Sequence, residues 1–343
     1  MSPLEGQLEA AAPPGQASTP RTPRQILIAT KPFVKERRAR SWFDVLSTLL
    51  ILAGLLAFTL LDVPLYGQAG AGFLAGLVAV RMFVLYHDYQ HGAILRRSRL
   101  AKLFMSLYGM LTLNPPSPWN RSHNYHHENN STTPGASFGS YPMMTREAYS
   151  GSSCWERFKY LAARHPLTIL MGYLTVFLYG MTMRPFLLNP KKHLDCVAAL
   201  ALHGALIGGF AWLDPQGLLF TVWLPLFTAS LLGAYLFYAQ HNFPDARLKP
   251  RSDWNIVWAA RRSSSYMKLS PLLHWITGNI GYHPVHHLNA RIPNYRLPEA
   301  FQAIEELQDA GRTSLGLRDV YRCLRLKLWD AENDRLVTVS GKP

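Results

Sequence analysis

The residues best suited to chemistry in this chain are its histidines. HDYQH sets His87 and His91 four apart, RSHNYHHENN sets His123, His126 and His127 at i, i+3 and i+4, and YHPVHHLN repeats that spacing at His283, His286 and His287. Only 13 of 343 residues are histidine, so two copies of HxxHH are not an accident of composition. On a helix, positions i, i+3 and i+4 fall within an arc of about 100°, so each HxxHH is expected to present three imidazoles on one face. His87 and His91 make a further pair one turn apart. Neutral imidazole is a common metal ligand near neutral pH. A single histidine of this kind is more often a packing residue, but eight at ligand spacing point to metal. His241, in FYAQHNFPD, offers a ninth nitrogen. Nine donors exceed the four of a tetrahedral zinc site and point to two ions, and imidazole suits zinc, copper, iron and nickel alike.

These side chains need elements to hold them, and the elements are apolar. Trp42 to Leu61 reads WFDVLSTLLILAGLLAFTLL, about the 20 residues that cross hydrocarbon as a helix. Residues 69–86, 194–213 and 217–238 are similar, and residues 166–188 form a fifth apolar run. The predicted fold class is therefore an all-α integral membrane protein. Four transmembrane helices carry a cytosolic helical cap with a histidine-rich two-metal site. Residues 1–40 are expected to form a cytosolic N-terminal segment, disordered through residue 30 and basic thereafter. Residues 41–295 form the membrane domain with the three histidine boxes, and 296–343 a cytosolic C-terminal segment of the same domain.

Charge sets the topology. Lys31, Lys35, Arg37, Arg38 and Arg40 precede the first span, whereas the turn DVPLYGQAG after it has no Lys or Arg; Arg96, Arg97, Arg99 and Lys102 follow the second. Basic residues mark the cytosolic side, so the chain crosses out and back. For all histidine boxes to share one face, an even number of crossings must separate His127 from His283, yet three apolar runs lie between them. Residues 166–188 have basic residues at both ends and are the run expected to lie in the interface or re-enter. Residues 100–113 are too short to span and are expected along the interface, ended by Pro115, Pro116 and Pro118.

Several functions are excluded. The three cysteines are isolated, with no CxxC pair, so neither a disulfide framework nor a thiolate zinc site is indicated. No HExxH occurs, and no GxGxxG follows a strand, so redox electrons must come from another protein. The surplus of 14 positive charges lies beside apolar runs, which fits a membrane surface rather than nucleic acid.

In order, HDYQH, HNYHH, FYAQH and HPVHH resemble the boxes of the membrane-bound fatty acid desaturases. LFYAQHNFPDARLK, LHWITGNIGYHPVHHLNARIPNYRL and the C-terminal LKLWDAENDRLV look like the bacterial and cyanobacterial acyl-lipid group, the Δ12 or ω6-like branch. The similarity runs from about Ser41 to Val337. It implies two iron ions that activate O2 and leave a cis double bond in the acyl chain of a membrane lipid. The family's ligand positions map onto His87, His91, His123, His126, His127, His241, His283, His286 and His287. Where some animal relatives place an asparagine four residues before the extra histidine, this chain has Phe237, so Asn242 or Asn279 is the candidate tenth position. Electrons would come from an external donor such as ferredoxin or a cytochrome b5-like protein. The implied location is the bacterial inner (plasma) membrane with both termini cytosolic. The same iron site in related enzymes hydroxylates, epoxidises or ketolates instead. A metal transporter is disfavoured, because the spans lack carboxylates apart from Asp44 and Asp62 near their ends.

Other residues carry weaker expectations. Asp88 and Glu128 adjoin box histidines and are candidates to orient imidazoles. Arg81 is expected to snorkel to headgroups, Trp119 to sit in an aromatic belt, and His203 to be a hydrogen-bonded packing residue.

Overall fold

Apolar length decides the frame. The structure, a computed structural model, describes residues 21–133 and 141–342. Among them, four helices are long and apolar enough to cross a bilayer: α2 (Arg38–Phe58), α3 (Leu65–Gln90), a third span (Asp195–Leu213) and a fourth (Pro215–Ala239). Each coincides with a run read from the sequence to within a few residues. The turn between the third and fourth spans is closed by Asp214, whose Oδ1 accepts from the Gly217 N–H at 2.8 Å.

The spans are not equivalent. Only 17% of the apolar window of the third span is buried by protein, against 61% for α3. The first therefore faces lipid and the second is enclosed. Leu50, Phe73, Trp212, Leu213 and Leu219 stand exposed on these helices, an apolar surface that only a bilayer would cover. Small residues bring α3 against the fourth span. A Cβ on Gly76 would lie 2.5 Å from Thr228 Cβ and 2.8 Å from the Pro225 carbonyl oxygen, so only glycine permits this approach.

Arg81 is the clearest departure from expectation. It does not snorkel: it is buried, its Nη2 lies 3.2 Å from Asp44 Oδ1, its Nε donates to Thr48 Oγ1 at 3.1 Å, and its Nη1 donates to the Trp275 carbonyl at 2.7 Å. The acid on α2 supplies the countercharge that headgroups would otherwise have provided, and the pair ties α2 to α3.

Residues 166–188 do not form one continuous α-helix. A short helix, Pro166–Leu170, leads into a π-helical stretch, Tyr173–Met183, and a last turn, Arg184–Leu188. The π-helix is rare and is found mostly as single turns near functional sites. Here it runs beside the fourth span and the helix Pro116–Asn129 and walls a cavity described below. α4 (Arg99–Leu111) ends before the prolines, and α5 (Pro116–Asn129) begins on them, with Pro116 tolerated at the first helical position because its missing N–H has no partner there anyway.

The N-terminal segment is ordered earlier than expected. Residues 1–20 lie outside the described residues, but α1 (Pro23–Ala29) is a helix closed by a Thr22–Gln25 capping box. Its Ile26 is buried with Val257, Val285, Leu288, Leu297 and Phe301 in a cap over the histidine end of the bundle. The C-terminal segment joins the main body: Trp329 and Leu336 pack in one core with Tyr238 and Phe177. Buried Arg164 fastens it, donating to Pro142 O at 2.7 Å, Asn242 Oδ1 at 2.5 Å and Leu326 O at 3.3 Å.

Candidate metal centre

All the box histidines emerge at one end of the bundle. His87 lies in the last turn of α3 and His91 caps it; His123, His126 and His127 lie on α5; His241 follows the fourth span; and His283, His286 and His287 lie on a six-residue helix, His283–Leu288. α3 delivers its pair because its run continues one turn past the apolar stretch. The last helix is held by packing of Val285 and Leu288, both buried, rather than by length.

The nine rings fall into two groups. His87, His91, His123, His127 and His286 place one nitrogen each within 4.8 Å of one another, and so do His126, His241 and His287. His283 joins the second group, its Nε2 2.9 Å from that of His241 and 3.1 Å from that of His287. Within the first group, Nε2 atoms lie 3.0 Å apart for His87 and His123, 3.1 Å for His123 and His127, and 3.0 Å for His127 and His286. The groups touch where the His127 and His287 rings stack with centroids 4.4 Å apart.

The three imidazoles that each HxxHH presents do not all serve one group. Helix α5 sends His123 and His127 to the first group and His126 to the second; the last helix sends His283 and His287 to the second and His286 to the first. The i, i+4 pair shares a group in each case, and the i+3 residue crosses over.

These distances suit a cation between the rings. The His241, His283 and His287 Nε2 atoms form a triangle with edges of 2.9, 3.1 and 3.2 Å. His241 donates its Nδ1–H to the Ser263 carbonyl at 2.9 Å, so its neutral Nε2 carries a lone pair directed into that triangle. Three neutral ring nitrogens this close cannot all be satisfied by sharing protons with one another. Ligands about 2.1 Å from one ion stand about 3.0 Å apart at right angles and about 3.4 Å apart in a tetrahedron. The observed edges match the right-angled arrangement. His91 Nε2 is buried without a hydrogen-bond partner, a further nitrogen for which a metal would account.

Burial also keeps the rings neutral. His241 is pushed down to about 4, and His91, His123, His126, His127, His283, His286 and His287 lie well below the usual imidazole range. Desolvation is the largest cause throughout. Neighbouring imidazoles add to it except at His241, where the bond to Ser263 opposes it.

The surrounding residues divide. Asp88 is buried beside His87, with Oδ2 accepting the Asn294 N–H at 2.7 Å; its Oδ1 stands 3.5 Å from His87 Nδ1, and neither of those two atoms has a hydrogen-bond partner. Glu128 is exposed, and its backbone oxygen, not its carboxylate, is bonded by Arg251. Of the candidate tenth residues, Asn242 commits its Oδ1 to Arg164, and Asn279 donates its Nδ2 to Asn294 O. Trp119 is not in a belt but buried against the rings, 4.3 Å from His123 and 5.4 Å from His87 between centroids. Its position one turn before His123 was the only signal for this. His203 is a packing residue as expected, bonded to Tyr173 Oη at 2.6 Å and to Leu111 O at 2.9 Å. Ser263 and Asn294, which act through backbone atoms, left no mark in the sequence.

A cavity of about 610 Å³ reaches the centre. Its wall includes His123, His126, Trp119, Phe237 and the π-helical residues from Leu174 to Met181, and most of its lining is apolar.

Comparison with known proteins places the chain by family. Residues 64–317 match the family model for fatty acid desaturases. The chain is similar to a fatty acid desaturase of Bacillus subtilis, 30% identical over 325 residues, covering 92% of this chain and 90% of that one. It is also similar to the sn-1 oleoyl-lipid 12-desaturases of a Picosynechococcus strain, 24% identical and covering 78% of this chain and 77% of that one, and of Anabaena variabilis, 22% identical and covering 79% and 78%. The chain belongs to the fatty acid desaturase family. That membership, with Δ12-type enzymes among its relatives, makes it an oxidoreductase of lipid acyl chains built around four membrane helices.

Proposed function

We propose that this protein introduces a cis double bond into an acyl chain of a membrane lipid, using O2, two iron ions and an external electron donor. Its centre would lie on the cytosolic side of a bacterial plasma membrane with both termini inside, as the basic flanks of the spans favour. One observation carries the reading: two groups of neutral imidazoles, with Nε2 atoms about 3 Å apart, border an apolar cavity in an enclosed part of the bundle.

The nine histidines would hold the irons, five in one group and four in the other. Iron so bound would supply, with O2, two electrons and two protons, the oxidising power to remove two hydrogens from an unactivated chain, both oxygen atoms leaving as water. The residues of the chain do the rest. Burial holds the imidazoles neutral and ready to donate lone pairs. The Ser263 carbonyl fixes which nitrogen of His241 faces inward, and Asp88, 3.5 Å from His87 Nδ1, is the acid that would do the same for His87. Trp119 and Phe237 close the first group against water, Phe237 lying 6.2 Å from the His123 ring between centroids. The cavity wall at His123 and His126 sets the acyl chain beside both groups at once.

Expression with a ferredoxin system, followed by mass spectrometry of acyl chains and metal analysis, tests this. The wild-type chain is expected to produce new double bonds in an O2-dependent manner, and His126→Ala to lose activity and metal together. New hydroxylated acids without new double bonds would replace this reading with the hydroxylase one, and full activity in His126→Ala would remove the ligand assignment.

A further inference from the structure

The helix Cys154–Ala163 is amphipathic, and only one of its faces is covered. A Ser153–Glu156 capping box closes its first turn, which supports the helix from its own sequence. The covered face is carried by Tyr160, buried against Leu328 and Val337, with its Oη–H donated to the Lys327 carbonyl. On the opposite face Trp155 and Phe158 are 63% and 61% exposed. Their rings stack on each other, 5.4 Å between centroids and 14° between planes, and Lys159 Nζ stands 5.8 Å from the Trp155 ring.

Helical spacing continues this stripe. Trp155, Phe158 and Ala162 fall at i, i+3 and i+7, and Ala162 lines the histidine-bordered cavity. Leu167, Leu170 and Leu174 repeat the spacing, and all three are exposed. Behind them Ile169, Tyr173 and Phe177 are buried in the core that holds the fourth span.

The covered side fixes the depth. A Cβ on Gly172 would lie 2.6 Å from Ala234 Cβ and 2.9 Å from the Ser230 carbonyl oxygen, so this segment meets the fourth span more than a turn before its end at Ala239. Arg164, the residue after the surface helix, donates to Tyr238 Oη at 3.2 Å, level with that end. The exposed leucines therefore stand in hydrocarbon, and the aromatic pair stands at the boundary above them. A tryptophan with a lysine beside it suits that layer, the ring among headgroups and the ammonium in water. Glu156 and Lys159 flank the rings with opposite charges, so apolar area rather than charge drives the contact.

We infer that the helix Cys154–Ala163 docks on the leaflet at the histidine end of the bundle, with Trp155 and Phe158 inserted among the headgroups, as an interfacial anchor at the lip of the cavity. The anchor follows from the membrane placement of the four spans and stands whether or not the chain desaturates lipid. Docked, it holds that wall of the cavity at headgroup depth.

Cys154 supplies the probe. It is exposed, whereas Cys196 and Cys323 are buried, so a thiol-reactive fluorophore marks the start of the helix in the natural chain. In purified protein in phosphatidylcholine nanodiscs, lipids with a nitroxide near the headgroup should quench the fluorophore more than lipids with one at the chain end, and aqueous iodide should quench it little. Hydrogen exchange read by mass spectrometry should show the helix protected. Trp155→Ser with Phe158→Ser should lower that protection about tenfold and admit iodide, while Trp155→Phe with Phe158→Trp should retain both readouts. High salt should change neither, and a contact that salt abolishes would contradict docking by apolar area. Free access of iodide in the wild type without nitroxide quenching would overturn the anchor, since no second protein is present to cover the face. So would wild-type protection in the serine variant. Should that variant unsettle α3 as well, the wild-type quenching pattern decides by itself.

Discussion

Helix α5 and the helix His283–Leu288 carry the same HxxHH spacing yet distribute it in opposite senses. α5 is a 14-residue helix with one face exposed, including Arg121 and Tyr125; the later helix has six residues, all buried. In each helix the i, i+4 pair belongs to one group and the i+3 ring to the other, and the two helices assign them in reverse. A repeated motif thus builds two unlike halves. The first half has five rings and rests on α3, which Arg81 and Asp44 lock to α2. The second has four and turns on His241, a residue in a turn held by one backbone carbonyl.

That inequality can be broken experimentally. His241→Ala touches three neighbouring nitrogens and should have the largest effect: metal content near half of wild type, and activity reduced by more than about a hundredfold, beyond the range for a partner that merely orients a ligand. His91→Ala, in the half with five rings, should retain more metal by elemental analysis; equal losses would erase the distinction. Arg81→Leu removes one of the two guanidinium partners of buried Asp44, leaving Arg40 on Oδ2 at 3.0 Å, and should cost less than the about 3–5 kcal/mol of a buried charge left with no partner. Thermal unfolding should report that loss, and the first half should give up metal to a chelator sooner than the second. Asp88→Asn should weaken metal binding about 10–100-fold, again in the first half, and a uniform change across both would contradict the orienting role given to Asp88.

Mild acid gives the smallest effect near neutrality. In metal-stripped protein the eight rings outside the spans are held below the unfolded value of 6.5, His241 at about 4. Above 6.5 both folded and unfolded chains are neutral at these sites, and stability is flat. Between 6.5 and about 4 the unfolded chain binds more protons, so stability falls as the pH falls. A denaturation midpoint that rises on acidification across that window would contradict the burial of the rings.

Much of this protein is legible without coordinates. Apolar runs of hydrocarbon length gave four spans within a few residues, because in lipid a helix must satisfy its own backbone and composition alone reports it. His203 was legible as a packing residue, since a lone histidine in a span needs partners and Tyr173 with Leu111 provides them. Arg81 and Trp119 were misread for one reason. Side-chain type suggests a boundary position for each, but their neighbours, Asp44 and the histidine rings, come from elsewhere in the chain. The helix at Pro23 was missed because a composition rich in proline and alanine hid a capping box of two residues, Thr22 and Gln25.

By itself the sequence determined where the chain resides, how many long helices it contains, and that nitrogen donors crowd together at one end of them. Those properties follow from local composition and periodicity, which act over one helix at a time. Only the tertiary structure decided that the donors separate into five and four, that Asp88 rather than Glu128 is buried beside a ring, and that an apolar cavity reaches both groups. Each depends on the angle and distance at which separate helices meet, and packing over the whole molecule sets those.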